Sequence, residues 1–140
     1  MKVTTKEIRV RTRGFTDIID LTKEVQEIVR ESGLREGSVV VFVRGSTASI
    51  TTIEYEPGLV KKDFAEFLER IAPYDYPYEH HKMWGDDNGS AHLRASLVGP
   101  SVVVPFVDGR LLLGTWQQIV LVDFDTRSRD RTVFVQVLGS

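Results

Sequence analysis

Residues 39–43 read Val-Val-Val-Phe-Val, and this unbroken apolar run constrains the fold more than any other segment. β-Branched and aromatic side chains favour extended backbone. A strand without polar alternation is typical of one that is covered on both faces. At 140 residues the chain is long enough to bury a real core. No Gly/Ser linker or internal repeat divides it, so we predict one domain spanning residues 1–140.

Further strands are indicated by alternating patterns and turn residues. Residues 2–12 alternate and are rich in Val, Ile and Thr. Residues 49–55 form another strand that ends before Pro57-Gly58. Asp108-Gly109 is a strong hairpin signal between residues 101–106 and 110–113. We expect residues 116–125 and 131–138 to form a last strand pair around the polar turn 126–130.

Two helices are predicted between these strands. The first is capped by Asp20, runs to about Ser32 and is ended by Gly33. Its apolar face consists of Leu21, Val25, Ile28 and Val29. The second stops before Pro73 and is expected to bury Phe64, Phe67, Leu68 and Ile71. Residues 91–99 fit either a short helix or a strand. The order of elements predicts an α+β fold with two main helices and a mixed, mainly antiparallel sheet.

Charge and cysteine content exclude several functional classes. Eighteen basic and twenty acidic residues leave a net charge of −2, so bulk charge predicts no nucleic-acid or membrane partner. The absence of cysteine excludes disulfides, thiolate metal ligands and cysteine nucleophiles. The first residues contain no apolar signal segment, and no apolar run reaches the length of a membrane span. We therefore expect a cytoplasmic protein.

Residues 73–88 are predicted to form a long irregular loop, and loops of this composition often carry function. Imidazole and carboxylate groups cluster there and just beyond it: His80, His81, Asp86, Asp87 and His92. Such groups suit either metal ligation or acid–base catalysis. The spacing matches no standard zinc motif, so solvated or packed histidines remain the alternative. Asp86-Asp87-Asn88-Gly89 reads as a tight reversal, with Gly89 at positive φ, that would bring His80 and His92 together.

Two other segments could bind a ligand. Arg44, Ser46 and Thr47 surround Gly45 after the valine-rich strand, and glycine-adjacent donors of this kind suit an oxyanion. A polar strand connection is the alternative. After Gly114, residues Thr115, Trp116 and Gln117 could form an aromatic and amide pocket wall; a kinked strand with a core tryptophan is the alternative.

Several motifs in this order resemble the YjbQ-like family, also known as the secondary thiamine-phosphate synthase family. They are residues 45–54 (GSTASITTIE), 77–80 (PYEH), 84–97 (WGDDNGSAHLRASL), 104–106 (VPF), 108–110 (DGR) and 113–117 (LGTWQ). The resemblance covers nearly the whole chain.

The resemblance implies a trimer with a polar pocket near subunit boundaries. The family's usual pattern has three histidines; the second matches His80 and the third His92. Gly45 stands at the position of the first, and Ser90 stands where some members carry a histidine. Glu54 matches a recurrent glutamate. The activity implied is the joining of a pyrimidine diphosphate to a thiazole phosphate with release of pyrophosphate.

Two functional hypotheses follow. In the first, the chain is an enzyme acting on a small phosphorylated molecule. His80 and His92 hold a divalent metal ion (Zn²⁺ or Mg²⁺) or move protons, and Asp87 or Glu54 supplies a carboxylate. The phosphate would be bound by Arg44, Ser46, Thr47 and Arg94. In the second, the same pocket belongs to a non-catalytic metal- or anion-binding oligomer.

Overall fold

Two antiparallel sheets and four helices make up the computed structural model, which describes residues 1–140. The strands are β1 Lys2–Arg11, β2 Asp17–Asp20, β3 Glu36–Arg44, β4 Ala48–Ile53, β5 Ser101–Val107, β6 Arg110–Leu111, β7 Gln118–Asp123 and β8 Asp130–Gly139. The helices are α1 Thr22–Glu31, α2 Phe64–Ile71, α3 Glu79–Trp84 and α4 Gly89–Val98. A π-helical turn, Leu59–Asp63, leads directly into α2.

The larger sheet has the order β1-β8-β3-β5-β6 and the smaller one the order β2-β7-β4. The α+β prediction is confirmed. The expected single mixed sheet divides into two, and every strand pair is antiparallel. β7 and β8 belong to different sheets, so the predicted pairing between them is wrong. The reason is that β8 pairs with the distant strands β1 and β3, a choice that local turn residues do not indicate.

The valine-rich strand β3 lies between β8 and β5 in the larger sheet. Val39, Val41 and Val43 are fully buried in the main core, whereas Phe42 is 40% exposed. The run is therefore covered on one face only, unlike the prediction. Its outer face carries Val40 and Phe42, which are only partly covered.

The helices differ in how far they match the sequence pattern. In α1, Val25 and Val29 are fully buried, and Asp20 accepts a hydrogen bond from the Thr22 N–H at 2.9 Å. In α2 only Leu68 is buried, while Phe67 and Ile71 are more than half exposed. The predicted burial of these two was wrong, because only the side of α2 that carries Phe64 and Leu68 packs against the core. No helix is both long and apolar enough to span a bilayer.

The segment predicted as an irregular loop contains α3, and the undecided segment after it is α4. Gly85, at φ +63°, ends α3 in the left-handed conformation. Gly89 begins α4 and has no positive φ. The left-handed turn that was predicted at Gly89 lies at Gly85 instead. A Cβ at Gly89 would lie 2.8 Å from the Tyr78 Cβ, and this close packing is what requires glycine there.

The chain passes between the two sheets six times, and three of these crossings meet. Residues 12–16 join β1 to β2, residues 45–47 join β3 to β4, and residues 124–129 join β7 to β8. The Phe124 N–H donates to the Thr47 carbonyl at 3.0 Å, and the Phe15 N–H donates to the Asp125 carbonyl at 2.8 Å. Polar side chains from all three crossings are thereby brought into one region.

Candidate functional site

Two buried carboxylates organise the region where the three crossings meet. Asp123 ends β7 and Asp125 follows it, and their exposures are 0% and 1%. Asp123 accepts hydrogen bonds from the Thr12 hydroxyl, from Nε and Nη2 of Arg131, and from the Asp125 N–H. A carboxylate has about four acceptor positions, so Asp123 is saturated.

Asp125 is saturated in the same way. It accepts from the Thr47 hydroxyl, Arg129 Nε, Asn88 Nδ2 and the Thr126 N–H. Burial acts to raise the pKa of Asp125, but these hydrogen bonds outweigh it and hold the pKa below its ordinary value. Asp125 is therefore a fixed negative charge whose oxygens are all occupied.

His80 and His92 lie beside this carboxylate network. His80 is on α3 and His92 on α4, and their ring centroids are 4.5 Å apart. His80 Nε2 lies 3.1 Å from Asn88 Oδ1, while Asn88 Nδ2 donates to Asp125 at 3.3 Å. Because an ionised carboxylate only accepts, the Asn88 amide must present its NH₂ to Asp125 and its oxygen to His80. His80 Nε2 therefore carries a hydrogen and donates it to Asn88.

The environment of His92 favours the neutral imidazole. Partial burial lowers the pKa of His92, and the neighbouring His80 lowers it further, while Asp125 and Asp86 offset part of the effect. A neutral imidazole retains one nitrogen lone pair, which can accept a proton or bind a metal ion.

A cavity of about 410 Å³ opens beside His92, and no hydrophobic residue lines it. Its walls are the 45–47 crossing, the start of α4 and the β7–β8 crossing. The lining residues are Gly45, Ser46, Thr47, Asn88, His92, Asp125, Arg129, Asp130 and Arg131.

Hydrogen-bond donors exceed free acceptors around this cavity. Arg129 uses only Nε, and Arg131 Nη1 donates to no group of the chain. The backbone N–H groups of residues 45–47 lie outside the strands and also donate to no other group. The oxygens of Asp125 are already occupied, and Asp130 is exposed and paired through one oxygen with Arg11. The free donors therefore favour a ligand that brings acceptor atoms, as an oxyanion does.

The predicted anion-binding set is only partly brought together. Ser46 and Thr47 line the cavity, whereas Arg44 is exposed at the end of β3 and does not. Arg94 is 1% exposed and is held elsewhere. It donates to the Ala72 carbonyl, the Thr16 hydroxyl and Glu69, and its guanidinium lies 4.1 Å from the Tyr74 ring centre. These contacts give Arg94 a structural role.

The predicted carboxylates also lie apart from the histidine pair. Asp87 accepts a hydrogen bond from the Thr126 hydroxyl at 2.7 Å on the surface. Glu54 lines a different cavity, of about 360 Å³, together with Thr115, Trp116 and Gln117. Trp116 is 70% exposed and precedes β7, so it is not the core residue considered as an alternative. Asp125 is the carboxylate near the histidines.

His81 contacts the backbone, not the cavity. Its Nε2 accepts a hydrogen bond from the Gly89 N–H at 2.9 Å, at the first residue of α4. This bond fixes the angle between α3 and α4. Nowhere in the chain do three His, Cys, Asp or Glu side chains lie in an arrangement that could hold a metal ion.

Six residues of the site were not predicted: Asn88, Asp123, Asp125, Arg129, Asp130 and Arg131. Their signal in the sequence is faint. Asp123 and Asp125 interrupt the end of an apolar strand, where unpaired charges would be costly. Arg129 and Arg131 are two residues apart, as Asp123 and Asp125 are. This matched spacing of opposite charges could have suggested ion pairs.

Comparison with known proteins gives consistent matches along the whole chain. A family model described as UPF0047 protein YjbQ-like matches residues 6–140. A UPF0047 protein of Archaeoglobus fulgidus is 40% identical over 132 residues, which cover 94% of this chain and 99% of the relative. UPF0047 protein YugU of Bacillus subtilis is 33% identical over 134 residues, covering 96% and 98%.

Solved structures are similar in fold as well. A YbjQ-like protein of unknown function from Sulfolobus solfataricus P2 matches with a TM-score of 0.93 and 35% identity, covering 99% of each chain. A hypothetical protein from Aeropyrum pernix K1 matches with a TM-score of 0.90 and 36% identity, covering 98% of this chain and 99% of that one.

Proposed function

The chain belongs to the UPF0047 family of YjbQ-like proteins, and we propose that it is an enzyme acting on a small phosphorylated substrate. The observation that carries the proposal is the His80–His92 pair, placed beside a wholly polar cavity with unused donors. One side of such a site would bind the phosphate and the other would move a proton.

The phosphate side is formed by the 45–47 crossing and the β7–β8 crossing. Free backbone N–H groups around a glycine bind phosphate oxygens without needing a net positive loop. The guanidinium groups of Arg129 and Arg131 add charge, and both are held in place by carboxylates that accept no further bonds. The cavity of about 410 Å³ is large enough for a small phosphorylated molecule.

The proton side is formed by the two histidines. Neutral His92 is suited to accept a proton from the substrate because its pKa is lowered. His80 is oriented through Asn88 by Asp125, in the manner of a carboxylate-oriented imidazole. A proton taken by His92 would be stabilised by Asp125 and destabilised by His80 when that ring is charged.

The reaction proposed for testing is the one that the family resemblance implies. A pyrimidine diphosphate and a thiazole phosphate would be joined. The thiazole ring nitrogen would bond to the pyrimidine methylene carbon as that carbon's bond to the diphosphate oxygen breaks, and the electron pair would leave with pyrophosphate. The thiazole nitrogen carries no hydrogen, so the proton that His92 would accept is one on a pyrimidine N–H that becomes more acidic as the diphosphate departs. In this site Arg129 and Arg131 would offset the charge on the leaving pyrophosphate, a role often filled by magnesium. Asp123 and Asp125 are poor magnesium ligands here because their oxygens are saturated.

The test is release of pyrophosphate from these two substrates by purified protein. Wild type, His92→Gln and His80→Gln are compared, with Lys82→Ala as the matched control on the exposed side of α3. We expect both histidine variants to lose about 10²–10⁴-fold in kcat, the contribution typical of acid–base groups, and the control to match wild type. Equal rates in wild type and both histidine variants would refute the assignment.

A non-catalytic metal-binding protein is the second candidate, and the neutral state of His92 favours it. Imidazole must be neutral to bind a metal ion. Catalytic zinc sites use about three protein ligands, and this chain assembles only two imidazoles there, so a third ligand would come from the bound molecule or from a second subunit. Elemental analysis of protein purified without chelator tests this, with His92→Gln as the variant that should lose the ion.

Self-association is part of the proposal. On the outer face of the larger sheet, Phe42 lies opposite Phe134 and Val40 opposite Val103. Val103 is 63% exposed and Phe42 40%. Contiguous apolar surface of this kind is typical of an interface. We therefore propose a homo-oligomer, a trimer in line with the resemblance.

A further inference from the structure

We infer that Gly45 and Arg131 together determine which ligand the cavity binds. Because Gly45 has no side chain, it leaves room for the Arg131 guanidinium, which binds an oxyanion and not a metal ion. The inference deepens the proposed function and rests on it for the identity of the site. A Cβ built on Gly45 would lie 2.6 Å from Arg131 Nη1. Gly45 has φ +151°, a conformation that residues with side chains rarely adopt.

Arg131 cannot easily move away from this position. It is 8% exposed, donates from Nε and Nη2 to Asp123, and donates from Nη2 to Thr47. A Cβ at position 45 would therefore press against a guanidinium whose other two nitrogens are anchored. The absence of a side chain at Gly45 is what leaves Nη1 in place.

Arg131 Nη1 lies beside Gly45, which lines the cavity. It has no hydrogen-bond partner in the chain, yet the only fully buried side-chain polar atom without a partner is Ser90 Oγ. Nη1 must therefore reach solvent, and Arg131 lines the cavity together with Gly45 and His92. A nine-tenths buried arginine is thus held with one free nitrogen facing the ligand space.

The chemistry of this position follows from the group present. An imidazole at position 45 would offer a lone pair to a metal ion, whereas a guanidinium has donors only. Arg131 Nη1 can bind phosphate oxygen but cannot ligate a cation. The ligand we assign is the terminal phosphoryl group of a phosphate monoester or diphosphate, bound between Nη1, the free nitrogens of Arg129 and the N–H groups of residues 45–47.

Titration calorimetry of the full chain with inorganic phosphate and with pyrophosphate tests the inference. Gly45→Ala and Arg131→Lys are the variants, and Arg127→Ala, an exposed arginine of the same crossing, is the control. We expect both variants to bind pyrophosphate about ten- to hundredfold more weakly, as for loss of a charged hydrogen bond, and the control to match wild type. Circular dichroism checks that each variant is folded, and Gly45→Ala keeps the Arg131–Asp123 pair if Arg131→Lys does not fold.

The outcomes separate this inference from the proposed function. Unchanged pyrophosphate affinity in folded Gly45→Ala would overturn the inference even if that variant were less stable, and so would absence of binding to wild type. Either result would leave histidine-dependent turnover standing. Conversely, Arg131-dependent binding without histidine-dependent turnover would support the inference and refute the enzymatic proposal.

Discussion

The imidazoles of His80 and His92 lie with their ring centroids 4.5 Å apart, although they belong to two different helices. This distance satisfies the sequence-based expectation that the two histidines converge. It also means that the charge on one ring opposes charge on the other. A charge on His80 therefore adds to the effect of burial in lowering the pKa of His92.

The first prediction concerns pH and His92. Its folded-state pKa is lowered below the ordinary value of about 6.5, so between these two values the unfolded chain binds the proton more readily. Stability should be complete above pH about 6.5 and should fall as the pH drops towards the folded pKa. Chemical denaturation at a series of pH values should show this fall in wild type and a smaller one in His92→Gln. A wild-type curve that is no steeper than that of His92→Gln in this range would contradict the prediction.

The second prediction concerns Asn88, which joins His80 to Asp125. Asn88→Ala removes the acceptor for His80 Nε2 and one donor to Asp125. We expect a loss of about 1–3 kcal/mol in the free energy of unfolding, as for a broken buried hydrogen bond. The rate should also fall, because His80 is no longer oriented. Comparison with Lys82→Ala by denaturation and by pyrophosphate release measures both effects, and a stable variant with full activity would argue against the positioning role.

The third prediction concerns Asp125. Its folded pKa is lowered, so its stabilising contribution is present above the ordinary pKa of about 3.8 and is lost as the pH falls through the folded value. Asp125→Asn should be less stable at pH 7 by about 1–3 kcal/mol, because the hydrogen bonds to the charged carboxylate are weakened or lost, while Arg129, which is 38% exposed, can still be solvated. The difference from wild type should shrink in acid. If it stays constant down to the onset of acid unfolding, ionised Asp125 is not its source.

The fourth prediction separates structural from ligand-binding arginines. Arg94→Lys removes the planar guanidinium that contacts Ala72, Thr16 and Glu69. We expect a stability loss of about 2–4 kcal/mol with no change in pyrophosphate affinity of the folded protein. Calorimetry at a temperature where the variant is folded measures the affinity. A weaker pyrophosphate affinity of the folded variant would support the sequence-based prediction that Arg94 binds the ligand.

The fifth prediction concerns assembly. Phe42→Lys places a charge on the apolar outer face of the larger sheet and should dissociate the oligomer without unfolding the core, because the side chain points away from Val41 and Val43. Lys23→Glu on the exposed face of α1 is the control. Light scattering should give a multiple of the 15.9 kDa chain mass for wild type and control. A monomeric wild type at micromolar concentration would refute self-association.

Local sequence patterns determined much of the fold. Helix α1, the Asp108-Gly109 turn and the strands on either side of it follow from periodicity and turn chemistry, which act between neighbouring residues. Asp108 and Gly109 indeed take the positive φ values that such a turn requires. The convergence of His80 and His92 was also predictable, because a short segment separates them. The left-handed turn that brings them together was predicted at Gly89 but lies at Gly85.

Only the tertiary structure decided which side chains complete the site. Asp125 meets Thr47 and Asn88 because three sheet crossings coincide, and no local pattern encodes which strands share a sheet. The same long-range pairing places Arg131 against Gly45, while Arg94, which lies much nearer to His92 in sequence, is turned into a separate buried network. Strand pairing depends on the sum of many distant contacts, whereas a motif records only neighbours. The sequence thus indicated that the two histidines converge, and the packing of the two sheets selected their partners.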